Sequence, residues 1–401
     1  MPSAHLARRP LVLATAAALA LSGCTGNGTP SSTGPTEVPT TPAASPVTPT
    51  GSSSSPSSPS PTPSLTATAS QGRDLPTGSP SDVITGLDVP WSIAFLPDGD
   101  ALVTLRDSGE VLRVSPTGER SSLGKVDGVD GEGEGGLLGV AVSPSFATDA
   151  TVHLYLTASH DNRVVRTTLG ADGFGPMTPV LTGIPKASNH NGGRIKWGPD
   201  GFLYVGTGDA GQSDRSQDRD DLGGKILRVT ADGKAAPGNP FGASPVWSLG
   251  HRNVQGLAWG ADGTMFASEF GQNTWDELNV IVPGKNYGWP QVEGIEDSGG
   301  DFVPPIAQWA TSDSSPSGIT VGPDGAVYLA ALRGASLWKV AVDGRRVRGE
   351  PVRLLHNTYG RIRDVATAPD GSLWILSNNT FRGDPRTGDD RIVRVPIGSG
   401  P

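Results

Sequence analysis

From Val83 onward the chain alternates short apolar runs with Gly, Asp and Asn turns. Ile93-Ala94-Phe95-Leu96 leads into Pro97-Asp98-Gly99, then Ala101-Leu102-Val103-Thr104, then Gly109-Glu110-Val111-Leu112-Arg113-Val114. Runs of this length bounded by such turns read as strands. Proline fixes φ at the first corner of the turn, and glycine accepts the positive φ at its exit. The unit recurs. Val140-Ala141-Val142-Ser143 precedes Pro144, Ile195-Lys196-Trp197 precedes Pro199-Asp200-Gly201, and Leu257-Ala258-Trp259 precedes Ala261-Asp262-Gly263. Ile319-Thr320-Val321 precedes Pro323-Asp324-Gly325, and Val365-Ala366-Thr367 precedes Pro369-Asp370-Gly371. The turns begin at 97, 144, 199, 261, 323 and 369, spaced as four-stranded propeller blades are. No amphipathic helical stretch competes. The pattern predicts an all-β, six-bladed β-propeller over residues 81–398. A pair of β-sandwiches would not account for six copies of one turn.

The pattern is different before residue 81. Arg8 and Arg9 precede an apolar run from Leu11 to Leu21, and Leu21-Ser22-Gly23-Cys24 follows as a lipobox. The run is too short to cross a bilayer of about 30 Å as a helix. Residues 1–23 therefore read as a lipoprotein signal peptide, with the Cys24 thiol as the site of lipidation. Cys24 is the sole cysteine, which excludes an intramolecular disulfide. The rest of 24–80 is rich in Ser, Thr, Pro and Gly, so it cannot offset its ordering entropy by burial and reads as a disordered linker. The expected location is the outer face of a bacterial cytoplasmic membrane, held there by the N-terminal lipid. The net charge of -9 and the lack of any basic block speak against a nucleic-acid partner.

A propeller does not by itself fix function. Four polar, Gly-rich segments interrupt the repeat: Gly133-Glu134-Gly135-Gly136-Leu137-Leu138-Gly139; Asn189-His190-Asn191-Gly192-Gly193-Arg194; Leu249-Gly250-His251-Arg252-Asn253-Val254-Gln255-Gly256-Leu257; and Glu269-Phe270-Gly271-Gln272-Asn273-Thr274-Trp275-Asp276-Glu277, with Asn286-Tyr287-Gly288-Trp289-Pro290 after it. The first three run into the opening strand of a blade and the fourth is read as following one, so all four are expected at one mouth of the central channel.

Taken in order, these segments resemble the soluble dehydrogenases dependent on pyrroloquinoline quinone (PQQ), the glucose/sorbosone dehydrogenase family, over roughly residues 83–395. The resemblance implies oxidation of an aldose at its anomeric carbon, with His190 as general base. Imidazole suits that task at neutral pH. It implies quinone contacts from Arg252 and Asn253, from Arg333 where the family often has Lys, and from Arg361 and Arg363 of an Arg-x-Arg pair. A trianionic cofactor calls for such cations. It implies a Ca²⁺ bridging the quinone to the carbonyls of Gly271 and Gln272, and a structural calcium near Asp276, Glu277 and the Tyr287 carbonyl. Glu134 stands where glucose dehydrogenase has Gln beside the quinone, and Asn189 where it has Asp. Both departures point to the aldose dehydrogenase branch, and a carboxylate at 134 would repel the cofactor unless protonated or paired. His251, beside Arg252, reads equally well as a neutral structural residue. Sugar choice is expected in 211–222 and 291–317. There is no Cys-x-x-Cys-His haem motif, so electrons would leave to an external acceptor. A non-enzymatic propeller lipoprotein that binds carbohydrate or protein stays open as the alternative.

Overall fold

The computed structural model describes residues 78–295 and 300–398. The signal peptide, Cys24 and the linker as far as residue 77 lie outside the described residues. Six antiparallel sheets form the blades of a propeller, five of them four-stranded and that of blade 2 five-stranded. Blade 1 comprises Pro90–Phe95, Ala101–Leu105, Glu110–Val114 and Arg120–Lys125. Blade 2 opens with Leu137–Val142, blade 3 with Ile195–Trp197, blade 4 with Val254–Trp259 and blade 5 with Pro316–Val321. Blade 6 contains Ile362–Thr367, Leu373–Ser377 and Ile392–Val395, and is completed by Ser81–Ile84 from the start of the domain. That pairing sets Ser81 opposite Arg394 and Asp82 opposite Val393, which closes the ring.

The turn chemistry does what the residues demand. Gly99, Gly201, Gly263, Gly325 and Gly371 all adopt positive φ. In each of these turns the Asp carboxylate accepts the N–H two residues on, as Asp98 does from Asp100 at 3.1 Å and Asp262 from Thr264 at 2.9 Å. This local bond is the reason Asp precedes Gly. Blade 2 departs from the pattern, its Pro144 turn opening into a short helix, Phe146–Asp149.

The core lies between the blades. Six apolar clusters fill the six interfaces, one of them joining Ile93, Val103 and Leu112 of blade 1 to Trp374, Leu376 and Ile392 of blade 6. The second strand of a blade is covered on both faces, so Ala101–Leu105, Val327–Ala331 and Leu373–Ser377 are buried throughout, whereas the outermost strand Arg120–Lys125 is almost wholly exposed.

A buried polar knot ties the innermost strands together across the channel. Arg194 Nη1 donates to Asp364 Oδ2 and to Ser92 Oγ, each at 2.8 Å, and its Nε donates to the Gln255 carbonyl at 2.7 Å. Asp364 Oδ2 also accepts from Ile93 N–H at 2.9 Å. Removing one partner of such a pair leaves an uncompensated buried charge, which typically costs about 3–5 kcal/mol. Asp364→Ala should therefore lower the unfolding free energy by that amount in urea denaturation. Arg194→Met combined with Asp364→Leu should recover most of the loss. Equal destabilisation by the single and the paired replacement would show that shape, not charge, holds this junction.

Candidate active site

The inner strands all begin at one mouth of the channel and end at the other, five of them on the Asp-Gly turns. Near that first mouth, five of the six carry a register shift: between Pro90 and Ser92, Leu137 and Val140, Val254 and Gly256, Pro316 and Ile319, and Ile362 and Asp364. A bulge adds one residue to the strand and re-aims a side chain without ending the ladder. The extra residues include Trp91, Gln255 and Arg363, and all three line one cavity at this mouth.

The cavity has a volume of about 430 Å³, the size of a pocket for a small organic molecule. Six arginines line it: Arg106, Arg252, Arg333, Arg361, Arg363 and Arg382, against the carboxylates of Glu134 and Asp276. The Nε atoms of Arg252, Arg361 and Arg363 are buried with no hydrogen-bond partner. Arg363 is held in place by Gln255 Oε1 at 2.8 Å and Asn378 Oδ1 at 3.2 Å. Burial pushes its guanidinium well below the usual arginine range, and Arg361 and Arg106 push it the same way. Burial likewise lowers Arg361 and Arg252. Crowded cations with unmet donors favour a polyanionic occupant with acceptors on several sides. The residues present fit a tricarboxylate quinone.

His190 stands at the edge of this cavity with φ of 55°, a left-handed conformation that costs a non-glycine residue strain. Its loop is fixed from several sides. Glu134 accepts the His190 N–H at 3.1 Å, Asn253 Oδ1 accepts Gly192 N–H at 2.9 Å, and Gly208 leaves no room for a side chain beside the His190 carbonyl. His190 Nδ1 lies 2.7 Å from Asp209 Oδ1, and Asp209 Oδ2 accepts from Trp289 Nε1 at 2.9 Å. Burial alone would raise the Asp209 carboxyl, but the bonds from His190, Trp289 and Gly211 outweigh it and hold Asp209 below its ordinary value. An ionised Asp209 can only accept. A proton therefore sits on Nδ1, and in the neutral imidazole it is Nε2 that carries the lone pair.

The Glu134 carboxylate is paired. Burial would raise it, yet the His190 N–H and Arg382 Nη1, at 2.8 Å, hold it low. The repulsion expected at this position is thus neutralised by an arginine from blade 6. Phe381, next in chain, lies under Arg106 with 3.6 Å between guanidinium carbon and ring centre.

The other expected site residues are distributed unevenly. Gly271 and Gln272 line the cavity, as does Asp276, which accepts Gly271 N–H at 2.9 Å and Ser315 N–H at 2.6 Å. Burial pushes Asp276 up to about 7. Glu277 is not beside it. Adjacent strand residues point to opposite faces, and Glu277 instead joins Glu269, Glu293 and Tyr287 around a separate cavity of about 10 Å³. Burial and the neighbouring Glu269 push Glu277 up to about 8. Among the described residues no group of three or more His, Cys, Asp or Glu side chains is arranged to hold a metal ion. Asn253 is not among the residues that line the large cavity. It anchors the His190 loop, and its Nδ2 has no partner. His251 is fully buried, stacked on Tyr287 and bonded to Ser248 and Glu269, in a structural role. The fourth polar segment is also corrected: it follows the second strand of blade 4, Met265–Glu269, not the opening strand, and reaches the same mouth because that strand runs back antiparallel.

Comparison with known proteins agrees with this geometry. The model of the family described as Glucose / Sorbosone dehydrogenase matches residues 87–383, most of the described domain. The chain belongs to the glucose/sorbosone dehydrogenase family. This family makes it an oxidoreductase acting on sugars. The aldose sugar dehydrogenase YliI of Escherichia coli (strain K12) is 34% identical over 330 residues, which cover 73% of this chain and 88% of that protein. Quinoprotein glucose dehydrogenase B of Acinetobacter calcoaceticus is 32% identical over 255 residues, covering 54% of this chain and 53% of its own. The PQQ-bound form of the aldose sugar dehydrogenase from Streptomyces coelicolor superimposes with a TM-score of 0.76 at 50% identity, covering 80% of this chain and 98% of that one.

Proposed function

We propose that this protein oxidises aldose sugars at the anomeric carbon with PQQ and Ca²⁺ as cofactors. One observation carries the reading: a single cavity joins the His190–Asp209 pair to a wall of arginines with unmet donors. Arg252, Arg361 and Arg363 would hold the carboxylates of the quinone, with Arg106, Arg333 and Arg382 around them. The carbonyls of Gly271 and Gln272 offer the hard oxygens that Ca²⁺ prefers. PQQ, when bound, would supply the acceptor for the hydride and the two electrons it carries.

The protein's own part is positioning and proton transfer. Asp209 fixes the ring of His190 so that Nε2 faces the cavity edge as the basic nitrogen. Nε2 takes the proton of the anomeric hydroxyl, and the carboxylate beside Nδ1 stabilises the imidazolium that results. Trp289 fixes Asp209 in turn. The test is dye reduction by aldoses after adding PQQ and Ca²⁺ to cofactor-free protein. No turnover with any aldose, despite saturable PQQ binding, would overturn the sugar assignment. Asp209→Asn should lower kcat about 10- to 100-fold, the worth of one charge-assisted hydrogen bond, with PQQ affinity unchanged. An unaltered kcat would remove Asp209 from the mechanism.

We also propose that Cys24 carries the lipid anchor and that electrons pass to an external acceptor. The lipobox supports the first and the lack of a haem motif supports the second. Cys24→Ala should move the protein out of the membrane fraction. Unchanged fractionation would refute anchoring at that residue.

A further inference from the structure

The channel holds a second cavity, below the knot formed by Arg194 and Asp364 and towards the Asp-Gly turns. Its volume is about 390 Å³. The walls are largely aliphatic, from Ile93, Val140, Leu257, Ile319 and Val365. Its polar groups left without a partner are donors. Arg194 lines this cavity and not the upper one. Only 5% of it is exposed, and its Nη2 has no acceptor. Lys196, two residues on, shares that face of the extended chain, and among the described residues its side chain has neither a hydrogen bond nor an ion pair. The Trp197 Nε1 is buried and unpaired as well. Acceptors are already engaged. Asp364 is bonded to Arg194, Ile93 and Val365, and the Thr320 and Thr367 hydroxyls bond each other at 3.0 Å.

We propose that this lower cavity is a second binding site, and that it takes a small organic monoanion, a carboxylate with a short aliphatic tail. The donors of Lys196 and Arg194 meet the carboxylate, and the aliphatic walls take the tail. An inorganic anion would satisfy the donors and leave the apolar volume unfilled. The electrostatics agree. Burial lowers the Lys196 ammonium to about 8, with Arg194 adding to the effect and Asp364 opposing it. An unpaired, half-buried cation of this kind gains from a bound anion. The site lies apart from the arginine-lined mouth, so it does not depend on the dehydrogenase reading.

The test is calorimetric titration of the full protein with hexanoate, and with hexan-1-ol as the uncharged control. Hexanoate should bind one-to-one and hexan-1-ol far more weakly. Lys196→Met should weaken hexanoate about 10- to 100-fold, the range of one charge-assisted hydrogen bond. Lys196→Arg should restore it. Arg361→Ala, which alters only the upper cavity, should leave it unchanged. Affinity should also fall as pH rises through about 8, because Lys196 then loses its charge. The groups facing it there are Arg194 on its own strand and Asp364 from blade 6; the strands of blades 1, 2, 4 and 5 bring no titratable side chain to this cavity. Should Lys196→Met misfold, the Lys196→Arg and pH measurements still decide the matter. Equal binding of hexanoate and hexan-1-ol, loss in Arg361→Ala but not Lys196→Met, or no binding at all would each overturn the proposal.

Discussion

His190→Gln should turn over aldoses about 10²–10⁴-fold more slowly than the unchanged protein while binding PQQ equally well. That range is the usual contribution of a general base. Glutamine keeps much of the size and some of the hydrogen bonding to Asp209 but offers no nitrogen able to take a proton. The backbone bonds from Glu134 and Ala210 that hold the loop involve no side-chain atom of residue 190 and survive the change. The quinone, held by arginines on the other walls, should give the same absorbance titration. Stopped-flow reduction of the quinone by sugar isolates the step. Near-full activity in the variant would assign the base elsewhere. Loss of quinone and activity together would make His190 a cofactor ligand.

The second large effect concerns the arginine wall. Arg252→Ala, Arg361→Ala and Arg363→Ala combined should weaken PQQ by at least about 10³-fold. Each charge-assisted bond is worth roughly 1.5–3 kcal/mol, and neighbouring sites do not add strictly. The same variant should melt at a higher temperature without the cofactor, because Arg361 and Arg363 repel one another in the empty pocket. Tight sites are commonly built at the expense of stability in this way. The two changes have opposite signs, so a variant that merely misfolds cannot imitate them. Undiminished PQQ affinity would place the quinone, if bound, elsewhere on the molecule.

Much of the fold was legible because a propeller repeats its local chemistry. Five Asp-Gly turns and the apolar second strands announce themselves residue by residue. The site was legible in part, through motifs that precede the inner strands. What was missed lies mainly just beyond the second strand of a blade: Arg106 after Ala101–Leu105, Asp209 after Leu203–Gly206, and Phe381-Arg382 after Leu373–Ser377. Antiparallel pairing returns each of these to the same mouth, so the repeat itself could have flagged them. Bulges could not be read. A one-residue register shift at Trp91 or Gln255 leaves no mark on an alternating pattern, and it decides which side chain enters the channel. Nor could adjacency tell Arg252, in the cavity, from Asn253 beneath it, or Asp276 from Glu277.

The pairing of Ser81–Ile84 with Ile392–Val395 has a consequence for how the molecule comes into being. Within the domain the first strand is made before all the others and its partner after them. Until then the ring stands open, with blade 6 incomplete and the faces of Ile93 and Trp374 that should meet each other still wet. Contacts between such distant parts of a chain form slowly. A copy that stops short of the closing strand is therefore expected to expose apolar surface and an unpaired strand edge, the features that make incomplete chains prone to associate.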